Sequence, residues 1–363
     1  LKKIYIKEND LNELKIAANN YLSANKFSIN SKIDILDIFI LTDNPESDKT
    51  AIDLYNSQTT KSHLRKRILS ILLKFNKENL AYDLIKETRK NVKTKGFYSL
   101  ELGMYFALKF DYKSAIQEYL VYLENNQKNI KLITQRIMLL AENLNSIEIL
   151  KMELNNSEIT ESKIILSKLE FKLKNYNQSF EILKNTIGFD KYKLELSEDL
   201  IKIKNFTLAH KIIDNILDSS KNNKILNLAI SQLANLYELE TIEISENFPI
   251  SKNIYKNQIL NSPFIKINTD NSDLLLKAIN IYDSLSTYGK DYKSMLNLAD
   301  VKYRVYKDLD GAEKIYKNLL NQNISSDYKH KIINDLVNIS FSRGDLNKTF
   351  AMIDSLYNNI INP

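Results

Sequence analysis

Residues 102–119 read LGMYFALKFDYKSAIQEY. Gly103, Tyr105 and Phe106 put small and aromatic side chains on one helical segment. Asp111 marks a turn. Ala115 then opens a second apolar face, with Ile116 beside it and Tyr119 four residues on. The apolar residues fall at i, i+3 and i+4, which is the helical period and not the alternation of a strand. The stretch therefore reads as two helices folded back on each other.

The second half of this pattern recurs along the chain. A small residue is followed four positions later by Tyr, Leu or Ile at Ala51/Tyr55, Ala81/Ile85, Ala115/Tyr119, Ser146/Leu150, Ser179/Leu183, Ala209/Ile213, Ala278/Tyr282, Ala312/Tyr316 and Thr349/Ile353. The small residues are 30 to 37 positions apart, except for one step of 69 between Ala209 and Ala278. A period in the thirties marks a solenoid of helical hairpins. The long step is about two ordinary ones, so one repeat is degenerate or interrupted. A short side chain is needed where two helices cross closely, and a large neighbour fills the groove beside it.

A second full copy runs from Ala299 and Tyr303 through Asp308-Leu309-Asp310-Gly311-Ala312 to Tyr316 and Leu319-Leu320. Weaker copies are Asn175-Tyr176 before Ser179, Asn205-Phe206 before Ala209, and Gly344-Asp345-Leu346 before Thr349. Together these resemble the tetratricopeptide repeat over roughly 47–360. The departures are the lapse between 209 and 278 and the Ser or Thr at some Ala positions. The resemblance implies an all-α, right-handed α-solenoid of about nine antiparallel hairpins with a helical N-terminal cap.

Composition agrees with that class. The 363 residues are 44% hydrophobic and 26% charged, too apolar for a disordered chain. Six glycines and four prolines are too few for the tight turns of a β-rich fold. Asn, Asp, Ser and Lys fill the gaps between helices instead. No Cys is present, which removes disulfides, thiolate metal sites and cysteine catalysis. No apolar run approaches ~18 residues, so no membrane-spanning helix is expected.

Along the chain, 1–46 reads as capping helices, 47–247 as hairpins, 248–273 as an irregular joint or insertion, and 274–363 as further hairpins. Pro249 and Pro263 fall in the joint, and Ser262-Pro263-Phe264-Ile265-Lys266-Ile267 reads as extended, because proline pushes the preceding residue out of helix.

The residues point away from an enzyme. His63, His210 and His330 lie in separate hairpins, with no second ligand at metal spacing. Phosphate-cradling glycine loops, dinucleotide motifs and nucleophile elbows are all missing from the sequence. No metal, cofactor or small-molecule substrate is expected.

One segment stands out by charge. Eleven Lys or Arg fall between Lys61 and Lys95 against Glu78, Asp83 and Glu87, a balance of +8 where the whole chain carries +6. A positive field confined to one hairpin would steer an acidic partner. A solvated face on a lysine-rich protein gives the same count. Nucleic acid fits less well, because Phe75 and Tyr82 sit on apolar faces and leave no base-stacking aromatic.

The resemblance implies a non-catalytic scaffold that binds a peptide or partner domain on the first helices of its hairpins. In that family the groove positions lie about 18, 15, 11, 8 and 7 residues before the small residue. Carried over, Ala81 gives His63, Lys66, Ser70, Leu73 and Lys74, and Ala115 gives Phe97, Leu100, Met104, Ala107 and Leu108. A basic stretch beside an apolar one suits a protein segment with acidic and apolar side chains. Two cellular roles are open. One is an exported scaffold in a bacterial cell envelope or periplasm, suggested by the missing Met at position 1, the lack of Cys, and a C-terminal half resembling exported tetratricopeptide proteins. The other is a cytosolic adaptor, co-chaperone or regulator. Binding of an acidic polymer through 61–95 is a further alternative.

Overall fold

The computed structural model describes residues 10–23, 28–90, 95–186, 188–244, 265–267, 272–288, 292–306 and 308–361. They form nineteen helices and one pair of three-residue strands. The chain divides into two compact units, 1–174 and 175–363.

In the first unit, α1 (Leu11–Ser23) precedes four pairs. These are α2 (Ile29–Leu41) with α3 (Ser47–Ser57), α4 (Ser62–Lys74) with α5 (Glu78–Arg89), α6 (Ser99–Leu108) with α7 (Tyr112–Asn125), and α8 (Ile130–Leu140) with α9 (Ile147–Asn156). α10 (Ser162–Lys172) follows them. The second unit starts with α11 (Tyr176–Lys184). Four pairs follow: α12 (Asp190–Lys202) with α13 (Phe206–Ser219), α14 (Asn223–Thr241) with α15 (Ser272–Tyr288), α16 (Tyr292–Val301) with α17 (Leu309–Leu320), and α18 (Ser326–Ser342) with α19 (Leu346–Ile361). Each unit is thus a stack of tetratricopeptide-like helical hairpins, and the fold is all-α.

Eight of the nine small residues lie on the second helix of their pair or just before its first turn, and the ninth, Ser179, lies on α11. Eight have no exposed surface, and Thr349 has 3%. The residue four positions on is buried in every case except Ile353 in the last helix. Gly103 shows why small residues are required. A Cβ there would stand 2.7 Å from two ring carbons of Tyr119 and 3.2 Å from the Ala115 carbonyl oxygen.

The turns explain how hairpins form with so little glycine. Asn76, Phe110, Lys174, Lys204 and Gly344 have φ of 57°, 59°, 64°, 61° and 77°. Each stands five residues before a repeat's small residue, so the turn uses one left-handed position. Only one of the five is glycine. After three of these positions the next residue, Asp111, Asn205 or Asp345, caps the second helix by accepting the backbone N–H three residues ahead, and Asp308 does the same four residues before Ala312, at 2.9–3.4 Å. A side-chain oxygen at this position satisfies an N–H that the helix itself leaves unpaired.

The 69-residue step is an interruption inside one hairpin. α14 and α15 pack directly on each other. Between them the chain runs out through β1 (Ile242–Ile244) and back through β2 (Ile265–Ile267), antiparallel, with Ile242 opposite Ile267 and Ile244 opposite Ile265. Ile265–Ile267 is extended, as its sequence suggests, and its partner strand was not legible there. Pro249, Pro263 and most of 248–273 lie outside the described residues. Among the described residues no helix is long and apolar enough to cross a membrane.

Candidate functional site

Among the described residues of 61–95, six of the ten basic side chains pair with carboxylates of neighbouring hairpins. Lys66 reaches Glu101 at 2.7 Å, Lys74 reaches Asp37 at 3.1 Å, Lys77 reaches Asp48 at 2.5 Å and Lys95 reaches Glu124 at 3.0 Å. Arg67 pairs with Asp34. Arg89 binds Glu118 through two parallel bonds of 2.9 and 2.7 Å. Arg65 lies over the Tyr55 ring, 4.6 Å from its centre, and donates to the Tyr55 carbonyl. The acids come from the hairpins on either side, beyond the window that a sequence count covers. These six acids offset most of the local excess of +8. Lys93 lies outside the described residues.

The other residues expected to form a groove in the first unit divide. Leu73 is 4% exposed and belongs to the core with Leu69, Leu72 and Tyr98, so it faces no ligand. Ser70 hydrogen-bonds the Tyr98 hydroxyl at 2.7 Å. Phe97 packs against the same core, and Leu100 and Ala107 are half-buried. His63, Met104 and Leu108 are exposed. Lys74 also covers the face of Phe75.

A cleft of about 570 Å³ lies in the second unit. Its walls are the first helices of three successive hairpins. α12 supplies Lys191, Leu194, Glu195, Glu198 and Ile201. α14 supplies Lys224, Ile225, Leu228, Ser231, Gln232 and Asn235, with Asn222 just before it. α16 supplies Lys293 and Asn297. On α12 the lining residues fall at i, i+3, i+4, i+7 and i+10, which is one helical face. Leu194 and Ile201 form a buried apolar floor, and Leu228 stands 45% exposed beside it.

The cleft is braced by polar links between its walls. The Ser197 hydroxyl donates to Gln232 Oε1 at 2.5 Å, and Gln232 Nε2 donates to the Leu194 carbonyl at 3.3 Å. Ser231 and Ser294 share a hydrogen bond of 3.2 Å between α14 and α16. Lys202, beyond the rim, pairs with Asp199 at 2.9 Å and Glu198 at 3.4 Å, which holds its ammonium above its ordinary pKa.

The sequence carries a signal for these residues. The family offsets applied to Ala209 give Lys191, Leu194, Glu198, Ile201 and Lys202, and four of the five line the cleft. The same offsets fail for Ala278, because the insertion separates it from its own first helix.

No protein-family model matches the sequence, and no curated protein sequence does either. Among solved structures, the P58(IPK) TPR domain aligns over 97% of this chain and 96% of its own, at 14% identity and a TM-score of 0.26. A computationally designed self-assembling cyclic homooligomer aligns over 99% of both chains, at 13% identity and a TM-score of 0.10. Both scores are low. The tetratricopeptide-like character rests on the hairpins, their buried small residues and their recurring turns.

Proposed function

We propose that the chain is a non-catalytic interaction scaffold, and that the cleft across α12, α14 and α16 holds an extended segment of a partner protein. The observation behind this reading is that the first helices of three consecutive hairpins line one continuous cleft. An extended segment brings unpaired backbone N–H and C=O groups that must find partners on burial. Asn222, Asn235 and Asn297 offer donors and acceptors at the rim. Leu194, Ile201, Ile225 and Leu228 take an apolar side chain. Lys191, Lys224 and Lys293, one from each helix, complement acidic side chains. A preformed cleft also spares the receptor the ordering that weakens binding by flexible surfaces.

The test is capture of partner proteins by the full chain, followed by measurement of their affinity. Leu228→Asp combined with Lys224→Glu should weaken binding by at least about tenfold, equivalent to ~1.4 kcal/mol. Lys66→Glu with Lys74→Glu, in the first unit, should leave it unchanged. The opposite pattern would return the site to the α4–α6 face. An envelope setting is part of the proposal, since a Cys-free chain tolerates an oxidising compartment. Fractionation of cells producing the full-length protein decides between periplasm and cytosol.

A further inference from the structure

We propose that Asp335, together with Asp300, Arg304, Tyr316 and Lys331, forms a proton-operated latch holding the last hairpin, α18–α19, onto the preceding one. Asp335 lies in the middle of α18 with no exposed surface. Neither of its carboxylate oxygens accepts a hydrogen bond from the described residues. Two of the groups around it are committed to its neighbour. Lys331 Nζ reaches Asp300 Oδ2 at 2.5 Å, and the Tyr316 hydroxyl donates its single proton to Asp300 Oδ1 at 2.5 Å. Arg304 Nη2 stands 3.6 Å from the same carboxylate. Burial first, and then the Asp335 charge, raise the pKa of the Tyr303 hydroxyl.

An ionised Asp335 would therefore be a second buried negative charge beside Asp300, with its oxygens unbonded. That arrangement favours the neutral acid. Burial first, and then the Asp300 charge, push its pKa up to about 7, while Arg304, Lys331 and the nearby Tyr316 hydroxyl pull the other way. The location makes the proton matter. Ile332, Leu336 and Ile339 of α18 pack with Ala312, Tyr316 and Leu319 of α17 in one core. Asp335 sits in this same seam. Arg304 rides on a π-helical turn, Lys302–Tyr306, where the ordinary i→i−4 ladder is broken.

The sign follows from the raised pKa. The folded hairpin holds a proton that the unfolded chain gives up at lower pH. Docking of α18 is therefore tightest below the ordinary carboxylate pKa and weakens as pH rises through about 7. Above that pH, Asp335 must either draw a cation from Asp300 or leave the seam.

Hydrogen exchange by mass spectrometry on the full chain tests this, at about pH 6 and about pH 8, corrected for the intrinsic rate of each amide. Protection across 326–342 should fall about tenfold between the two conditions, the factor for one pH unit of linkage. Protection across 190–219 should not change. Asp335→Asn should abolish the fall. A wild-type protein with unchanged protection in α18 would overturn the proposal, and so would an equal fall in Asp335→Asn. The infrared band of a protonated carboxyl provides a readout that needs no variant. It should be present at about pH 6 and lost at about pH 8.5; its absence at the lower pH would also overturn the latch.

Discussion

Gly103 is small because the space a side chain would take is already filled by Tyr119, itself 2% exposed. This makes Gly103→Ala a test with a diagnostic sign. In an open helix the change would stabilise by about 1 kcal/mol through backbone propensity. Here the new methyl meets a buried ring at 2.7 Å, and overpacking costs about 1–3 kcal/mol. The second effect should prevail, so thermal melting should move down. A second residue-scale test concerns Asp111, whose carboxylate accepts the Ser114 N–H at 3.1 Å. Asp111→Ala should cost about 1 kcal/mol in denaturant unfolding. At this scale much was legible. The small residues could be read because close crossing forbids large side chains. The left-handed position was not, since Asn76, Phe110 and Lys204 share no chemical signature. Its place becomes visible only by counting back from the small residue.

Between elements, the links are ion pairs and apolar seams that sequence proximity hides. Arg89 of α5 is held by both oxygens of Glu118 on α7, and its Nε also donates to the Phe97 carbonyl at 2.9 Å. Both side chains are mostly buried, 18% and 16% exposed. A single ammonium cannot reproduce that fork. Arg89→Lys should therefore lower stability by about 1–3 kcal/mol, and a double-mutant cycle with Glu118→Gln should give a non-zero coupling. Glu313 of α17 makes a pH-dependent link. Lys317, Arg343 and Lys348 hold its carboxyl down to about 2. A lowered acid pKa contributes stability that is present above the unfolded value of 4.5 and is lost as pH falls towards 2. Acidification through that window should destabilise wild type more than Glu313→Gln, read as the difference in melting temperature. The sequence showed that something breaks the array near 248–273. It did not show that the break sits between two helices that pack directly on each other, because helical period alone does not say which helices pair.

Across the whole molecule, stability should be local. A stacked hairpin touches mainly its neighbours, so the array behaves as a sum of repeat and interface terms. The cores have that form. One cluster joins Ile33, Tyr55, Ile68, Ala81 and Leu102, and another joins Leu296, Ala312, Tyr316, Leu336 and Ile339. Each belongs to its own unit. Ala312 has no exposed surface, so Ala312→Leu forces a large side chain into a filled crossing at a cost of about 1–3 kcal/mol. In a globular domain with one core, such damage lowers protection everywhere, because the whole structure opens together. In this chain it should not. Hydrogen exchange in the variant should speed up by roughly 5- to 150-fold across 292–342, the range that penalty allows. Exchange across 47–125 should stay within about twofold of wild type. A uniform acceleration along the chain would show that the two units unfold as one. A local one would mean that the cleft of the second unit is stabilised by its own hairpins, and that its affinity for a partner can be tuned without disturbing α2–α7.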